Sequence, residues 1–499
     1  MTASSMAGRA GVVDWLRPLQ DLDLSGDRPA DGRVLVAAAL GGVVVDFALR
    51  SGVVGVAGAL AVLVAAAGLV GSGRVANPQA RALAATAPLF GVWLALRTSP
   101  WLIAPDVLAA GGLLLVAASL ARGGSVLDLT FPRAAVRAAI AAVHGAVAPL
   151  FLLQPLAARR HVGARFAAVG RGVLLAIPVV AVIGLLLGSA DPFFAAVFDG
   201  PDNVPSLIGH VVLIVGGAWA MAGLLRMASA RSVPEPPTVT ARLGATEAIV
   251  VLGALVALFV VFAGAQVVAV SHGAKGVLET AGLTYAEYAR SGYFQLLAVA
   301  GLTLLTLLGI RAVTAEAPRR QARALEILAE VAVVLTLVVL ASAVRRLALY
   351  ETAYGLTMLR LYSVVFAGWL ALVLALAGVS IAGLWDGRRW FLSAAVGAGL
   401  VVLLTLNAVN PEVLVVSRNL DRARSGRPID VEYLAALADE SDDAVPVLAD
   451  RLSDLDVADR ASLADGLACA PDEGWHGWGA ANLARHRARA LCVDVTPRR

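Results

Sequence analysis

Lysine is almost missing from this chain. Lys275 is the only one in 499 residues, so nearly all of the 40 positive charges are arginine. The bias runs through the whole sequence and reads as genomic base composition rather than as a binding signature. Charge of either sign is scarce too. Only 15% of residues are charged, against about 25% in a soluble globular domain, which excludes an ordinary water-soluble fold. The motifs of common chemistry are also absent. There is no phosphate-binding glycine loop, no zinc-type His-Glu pair, no Gly-x-Ser-x-Gly elbow and no arginine-rich voltage-sensor helix. No enzyme class is supported by motif, no cofactor is expected, and nucleic acid is not an expected partner.

What the chain does contain is apolar sequence. It is 59% hydrophobic, with mean hydropathy +0.80. Runs of the length needed to cross about 30 Å of hydrocarbon recur from Val34 to Val409. No water is available there to pair the backbone, so these runs must be helices. The alternation of a membrane barrel is missing. Spans are expected at 34–49, 53–70, 82–97, 105–121, 171–188, 207–225, 247–270, 292–310, 327–344, 361–384 and 391–409. A further candidate, 138–156, contains His144, Pro149 and Gln154 and either lies on the inner face or crosses as a twelfth span. The expected fold is therefore all-α, a polytopic transmembrane bundle of about 11–12 spans with a small C-terminal helical domain.

Charge sets the expected orientation. Residues 410–499 hold 16 acids and 11 arginines, a net of −5, which leaves +9 on residues 1–409. Loops 226–246 and 311–326 are arginine-rich, and Arg388 and Arg389 separate the last two spans, so these sides should be cytoplasmic. Loop 189–206 has Asp191, Asp199 and Asp202 and no basic residue, so it should be outside. Residues 1–33 include Arg9, Arg17 and Arg28 but no apolar core. They are expected to be a cytoplasmic segment rather than a cleavable signal peptide. The division is then 1–33, a membrane domain 34–409 and a tail 410–499, the tail extracytoplasmic. The expected location is the plasma membrane, multi-pass. Cys469 and Cys492, the only cysteines, both lie in the tail, where they form a disulfide in an oxidising exterior or stay as two buried thiols. No metal-ligand spacing surrounds them. The tail reads as short amphipathic helices, with Asp430 capping 431–438, Ser441 capping 442–452 and a basic helix over 480–491.

One polar island breaks the apolar pattern. Residues 283–297 read Leu-Thr-Tyr-Ala-Glu-Tyr-Ala-Arg-Ser-Gly-Tyr-Phe-Gln-Leu-Leu. Thr284 and Glu287 have capping-box spacing, and Arg290 can pair with Glu287 on one helix face. Tyr285, Tyr288 and Tyr293 suit an interfacial aromatic belt. A second cluster, Arg345, Arg346, Tyr350, Glu351, Tyr354, Arg360 and Tyr362, is placed in the next outer loop and the start of the following span. Two readings follow. The clusters form an outer pocket for an anionic head group or a sugar-phosphate, since Arg holds phosphate through two parallel donors, or they form a structural belt. Within the spans, Asp46, His210, Gln266 and Glu330 are the candidate polar positions.

The 283–297 run resembles bacterial membrane proteins of the domain-of-unknown-function families 4153 and 4173. So do Ala190-Asp-Pro-Phe193, Met358-Leu-Arg-Leu-Tyr362, Asn410-Pro-Glu412, Arg418-Asn-Leu420, Asp430-Val-Glu-Tyr-Leu434 and Asp443-Ala-Val-Pro446. The resemblance covers roughly 170–450. It implies an integral membrane protein of Gram-positive, including actinobacterial, type, and it carries over no catalytic residue. Three functions are open at this point. The first is a non-enzymatic envelope sensor or assembly factor whose outer face binds a lipid head group or an envelope protein. The second is a transporter or flippase that uses the Tyr/Arg pocket as its entrance. The third is a transferase acting on a lipid-linked substrate. Membrane lipids are the expected partners in each case.

Overall fold

The computed structural model describes residues 30–52, 54–149, 151–152, 204–230, 243–271, 292–314, 318–383, 390–466 and 477–495, with isolated positions between 172 and 187. These residues fall into two compact units: Met1–Pro237 with Cys469–Arg499, and Thr238–Ala468. Most of span 171–188, all of the loop 189–203 and Tyr285, Glu287, Tyr288, Arg290 and Cys469 lie outside the described residues. Cys492 falls in a described helix, but its side chain is outside the description.

The first unit contains α1 (Gly32–Ser51), α2 (Val56–Gly71), α3 (Pro78–Leu96), α4 (Pro100–Ser119), α5 (Phe131–Ala146) and α6 (Val204–Ser229). The second contains α7 (Ala245–Ser271), α8 (Tyr293–Val313), α9 (Arg319–Tyr354), α10 (Met358–Ile381), α11 (Trp390–Val409), α12 (Pro411–Arg424), α13 (Val431–Glu440), α14 (Val445–Arg451) and α15 (Val457–Gly466). The last helix, α16 (Leu483–Val495), belongs to the first unit. No strand is present among the described residues; Leu243 and Thr314 form an isolated bridge.

Eight of these helices, α1, α4 and α6 to α11, are long and apolar enough to cross a membrane. The chain is a multi-pass α-helical membrane protein. The other expected spans correspond to α2, an apolar helix of 16 residues, to α3, of 19 residues, and to the stretch 171–188. The candidate 138–156 does not form one helix. Instead α5 begins at Phe131 and ends at Ala146, and it buries Ile140 and His144, one turn apart, on the same face.

In the first unit α1 and α6 run antiparallel at close range. A Cβ on Gly42 would stand 2.3 Å from the Ile214 carbonyl oxygen, and one on Gly217 would stand 2.6 Å from Val45. Lipid supplies no hydrophobic drive between helices, so such close backbone packing is what holds them together. Trp219 donates to the Gly145 carbonyl at 2.6 Å and ties α5 to α6. The C-terminal segment completes this unit. Asn482 donates to the carbonyls of Leu94 and Arg97 at 3.0 and 2.9 Å, Val56 N–H donates to Ala481 O at 3.0 Å, and the Trp478 ring packs on Phe47 at 4.6 Å.

The second unit has a side-chain core of its own. Leu252 of α7, Ala300 and Leu307 of α8, Val333 and Leu340 of α9, and Leu370 and Leu374 of α10 interlock in it. Helix α9 has 36 residues and is therefore about 54 Å long, well beyond a bilayer's hydrocarbon. Nothing in Arg345–Tyr354 breaks a helix, so the cluster expected in a loop is helical. Gly355, at φ +81°, makes the turn, and the loop is only Gly355–Thr357. After α11, Asn410 adopts φ +61° and starts α12, accepting from Val413 N–H at 3.4 Å. Asp430 caps α13 through Tyr433 N–H at 2.9 Å, as expected from sequence. Ser441 caps only a turn, accepting from Asp443 N–H at 3.4 Å, and α14 starts at Val445 with Pro446 in its first turn.

Candidate functional site

The start of α8, the end of α9 and the start of α10 meet in the second unit. Tyr293 is buried, and its hydroxyl donates to the Ser363 carbonyl at 2.7 Å. Gly292 takes φ +86° beside Tyr293, and a Cβ there would stand 2.7 Å from the Arg346 guanidinium. Arg346 is therefore folded onto the α8 entrance.

The carbonyls that end α9 are all engaged. Arg422, from α12, donates to Thr352 O and Ala353 O at 2.6 Å each. Arg360, from α10, donates to Tyr354 O at 3.3 Å and to Gly355 O. Asn419 donates to Leu356 O at 2.7 Å. Cations at a helix C-terminus satisfy free carbonyls and match the negative end of the dipole. Arg360 also sits over the Tyr350 ring at 4.4 Å, and Tyr350 packs on Tyr354 at 4.7 Å. A side chain on Gly355 is excluded twice, by its φ and by Asn419 Oδ1, 2.4 Å from a Cβ. Tyr433 accepts from Met358 N–H at 2.8 Å, closing the start of α10. Burial pushes the Tyr433 hydroxyl above its usual pKa, against the opposing pull of that bond.

Arg345 is placed differently. It is exposed, and it lines a groove of about 460 Å³ between α9 and α10. The walls are Leu337, Leu340, Ala341 and Val344 on one helix and Val364, Ala367 and Gly368 on the other. Arg345 and Arg346 are neighbours on a helix, so their side chains diverge by about 100°. One reaches the α8 entrance and the other the groove. Glu351 and Tyr362 are half-buried near this end, and Tyr354 is exposed.

The intramembrane candidates separate into three places. In the first unit Asp46 is buried and joins Arg50 at 3.1 Å and His210 Nδ1 at 2.7 Å, which brings together two residues 164 positions apart. In the second unit Gln266 accepts from Ser342 at 3.0 Å. Glu330 lies twelve residues before Ser342 on α9, about 18 Å along the axis, with its carboxylate against Gly378 of α10 and Oε1 buried without a hydrogen-bond partner. Among the described residues no group of three or more His, Cys, Asp or Glu is placed to hold a metal ion.

Sequence reasoning missed several positions. Glu412 and Asn407 are fully buried, Asp443 is nearly so, and Asn410 donates to Asp443 at 3.0 Å. The signal was available, because Asn410-Pro-Glu412 and Asp443-Ala-Val-Pro446 are polar strings that resembled the family yet had no assigned role.

Residues 84–450 match the family described as Domain of unknown function (DUF4153). The chain belongs to the DUF4153 family. The match starts well before the stretch that the motifs mark, and it includes α8 to α13 with the whole arginine-capped end of α9. Asp46 and α16 fall outside it, so the Asp46–His210 pair has only its histidine within the DUF4153 region. No curated protein and no solved structure matches the chain.

Proposed function

We propose that this DUF4153 protein is a non-enzymatic envelope protein that binds an anionic phospholipid in the groove between α9 and α10. The observation that carries the reading is the contrast among four arginines at one end of the unit. Arg360 and Arg422 cap α9 and Arg346 covers Gly292, whereas Arg345 is exposed at the edge of an apolar groove. An acyl chain suits the groove, and a phosphate suits the guanidinium. The plasma membrane is the proposed location, with this end extracytoplasmic, because Arg311, Arg319, Arg320 and Arg323 mark the other ends of α8 and α9.

The dispersion of polar groups favours binding over transport. Ser342, the α9 partner of Gln266, and Glu330 are about 18 Å apart along that helix. The test is native mass spectrometry of the detergent-purified chain. Arg345→Gln and Gly368→Leu should each reduce co-purified anionic phospholipid, the first by removing charge and the second by filling the groove. Retention equal to the unaltered chain in both variants would sink the reading.

A further inference from the structure

The first unit has a groove of its own, at the end where its helices carry arginine. It lies between α1 and α2, measures about 520 Å³ and is lined by Val36, Leu40, Val64, Ala67 and Gly71, with Arg33 at its rim. Val36 and Leu40 are 60% and 51% exposed, so the groove opens on the surface that faces hydrocarbon. It lies outside the stretch that matches the family.

Among the described residues the charge around that end is mostly basic. The starts of α1 and α3, the ends of α2, α4 and α6, and α5 bring seven described arginines against two described aspartates, Asp31 and Asp128. Three of these arginines donate to backbone carbonyls. Arg81 donates to Val75 O, Arg137 to Ser119 O and Arg133 to Asp128 O, all neutral carbonyls. Arg74 donates to Ser229 and stands 3.8 Å from Asp31. His144 is buried; burial and then Arg226 push it down to about 4, so it is neutral at pH 7. The charge at the groove mouth is that of Arg33. Arg33 is exposed there, its guanidinium 3.5 Å from where a Gly73 Cβ would stand.

We infer that the α1–α2 groove is a second phospholipid site, selective for an anionic head group, with the phosphate on Arg33 and one acyl chain along Val36, Leu40 and Val64. By the positive-inside rule this site belongs to the cytoplasmic leaflet. It is separate from the α9–α10 groove in residues and in unit, and it stands if that site fails.

The experiment uses the full chain in nanodiscs of phosphatidylcholine with a minor fraction of phosphatidylglycerol, read by native mass spectrometry. Arg33→Gln should weaken phosphatidylglycerol retention about five-fold, the worth of one basic side chain at an anionic surface. Arg33→Lys should keep most of it. Gly71→Leu should cause a similar loss with the charge intact; a Cβ at Gly71 meets nothing within 4 Å, so the side chain enters the groove without a backbone clash at its base. Unchanged retention in Arg33→Gln, or equal loss of phosphatidylcholine and phosphatidylglycerol, overturns the inference. Arg345→Gln is run in parallel. A loss there but not in Arg33→Gln supports only the α9–α10 site, and the reverse supports only this one.

Discussion

The two units pack by different means. In the first, α1 and α6 meet through Gly41, Gly42 and Gly217, and the assembly is completed by residues 477–495 from the far end of the chain. In the second, a contiguous stretch of sequence packs leucine, valine and alanine from α7 to α10, and the following tail helices cap the ends of α9 and α10. Both units bury large side chains; to these the first adds close backbone approach and contacts between distant segments, and the second adds polar caps at its helix ends. Packing that rests on backbone approach has no soft side chain to give way, so it should tolerate added volume least.

Paired glycine substitutions test that comparison most directly. Gly42→Leu drives a side chain into the Ile214 carbonyl and should cost about 3 kcal/mol or more, read as loss of monodisperse protein and a lowered Tm. At Gly368 an added Cβ meets nothing within 4 Å and the rest of a leucine side chain enters the open groove, so Gly368→Leu should leave Tm almost unchanged. Equal effects of the two would break the contrast between the units.

Acid should also act on the first unit before the second. His144 has a pKa depressed to about 4 by burial and Arg226, against about 6.5 when unfolded. Its neutral form therefore contributes stability above pH 6.5 that is lost as pH falls through 4. The full loss is about 3 kcal/mol. Thermal unfolding at pH 7 and pH 4.5 should show the decline, and His144→Leu should flatten it. Neither ring nitrogen has a hydrogen-bond partner, so that variant should hold its Tm at pH 7.

Smaller effects separate the two modes of closure. Arg422→Ala uncaps Thr352 and Ala353 and should cost about 2 kcal/mol, with hydrogen exchange rising at 350–356. Asn482→Ala removes two bonds to the end of α3 and should cost about 1 kcal/mol. Its readout is faster proteolysis within 477–495. An Asn482→Ala effect larger than that of Arg422→Ala would mean that the distant closure carries more of the fold than the local caps do.

Much of the fold was legible because hydrocarbon imposes a simple rule. A run of about 20 apolar residues must pair its backbone internally, so spans such as 207–225 and 391–409 appear close to where they were expected. Helix ends away from proline and glycine were harder to place. Arg345–Tyr354 looked like a loop because it is polar, yet Ala, Leu, Arg and Glu are good helix formers and only Gly355 stops them. The candidate site was legible as a set of residue types but not as a set of roles. Arg345, Arg346 and Arg360 are alike in sequence. One faces a groove, one covers a glycine and one caps a helix, a difference set by helical phase and by α12, whose Arg422 and Asn419 lie far along the chain.

From its sequence alone this protein is a multi-pass helical membrane protein with a polar tail and a tyrosine- and arginine-rich end, because hydropathy and charge are local properties summed along the chain. Only the tertiary structure decided which arginines are consumed as caps, that Asp46 meets His210, and that residues 477–495 close the first unit while 411–466 pack with the second. Those outcomes depend on contacts between residues tens to hundreds of positions apart, and no local property encodes them.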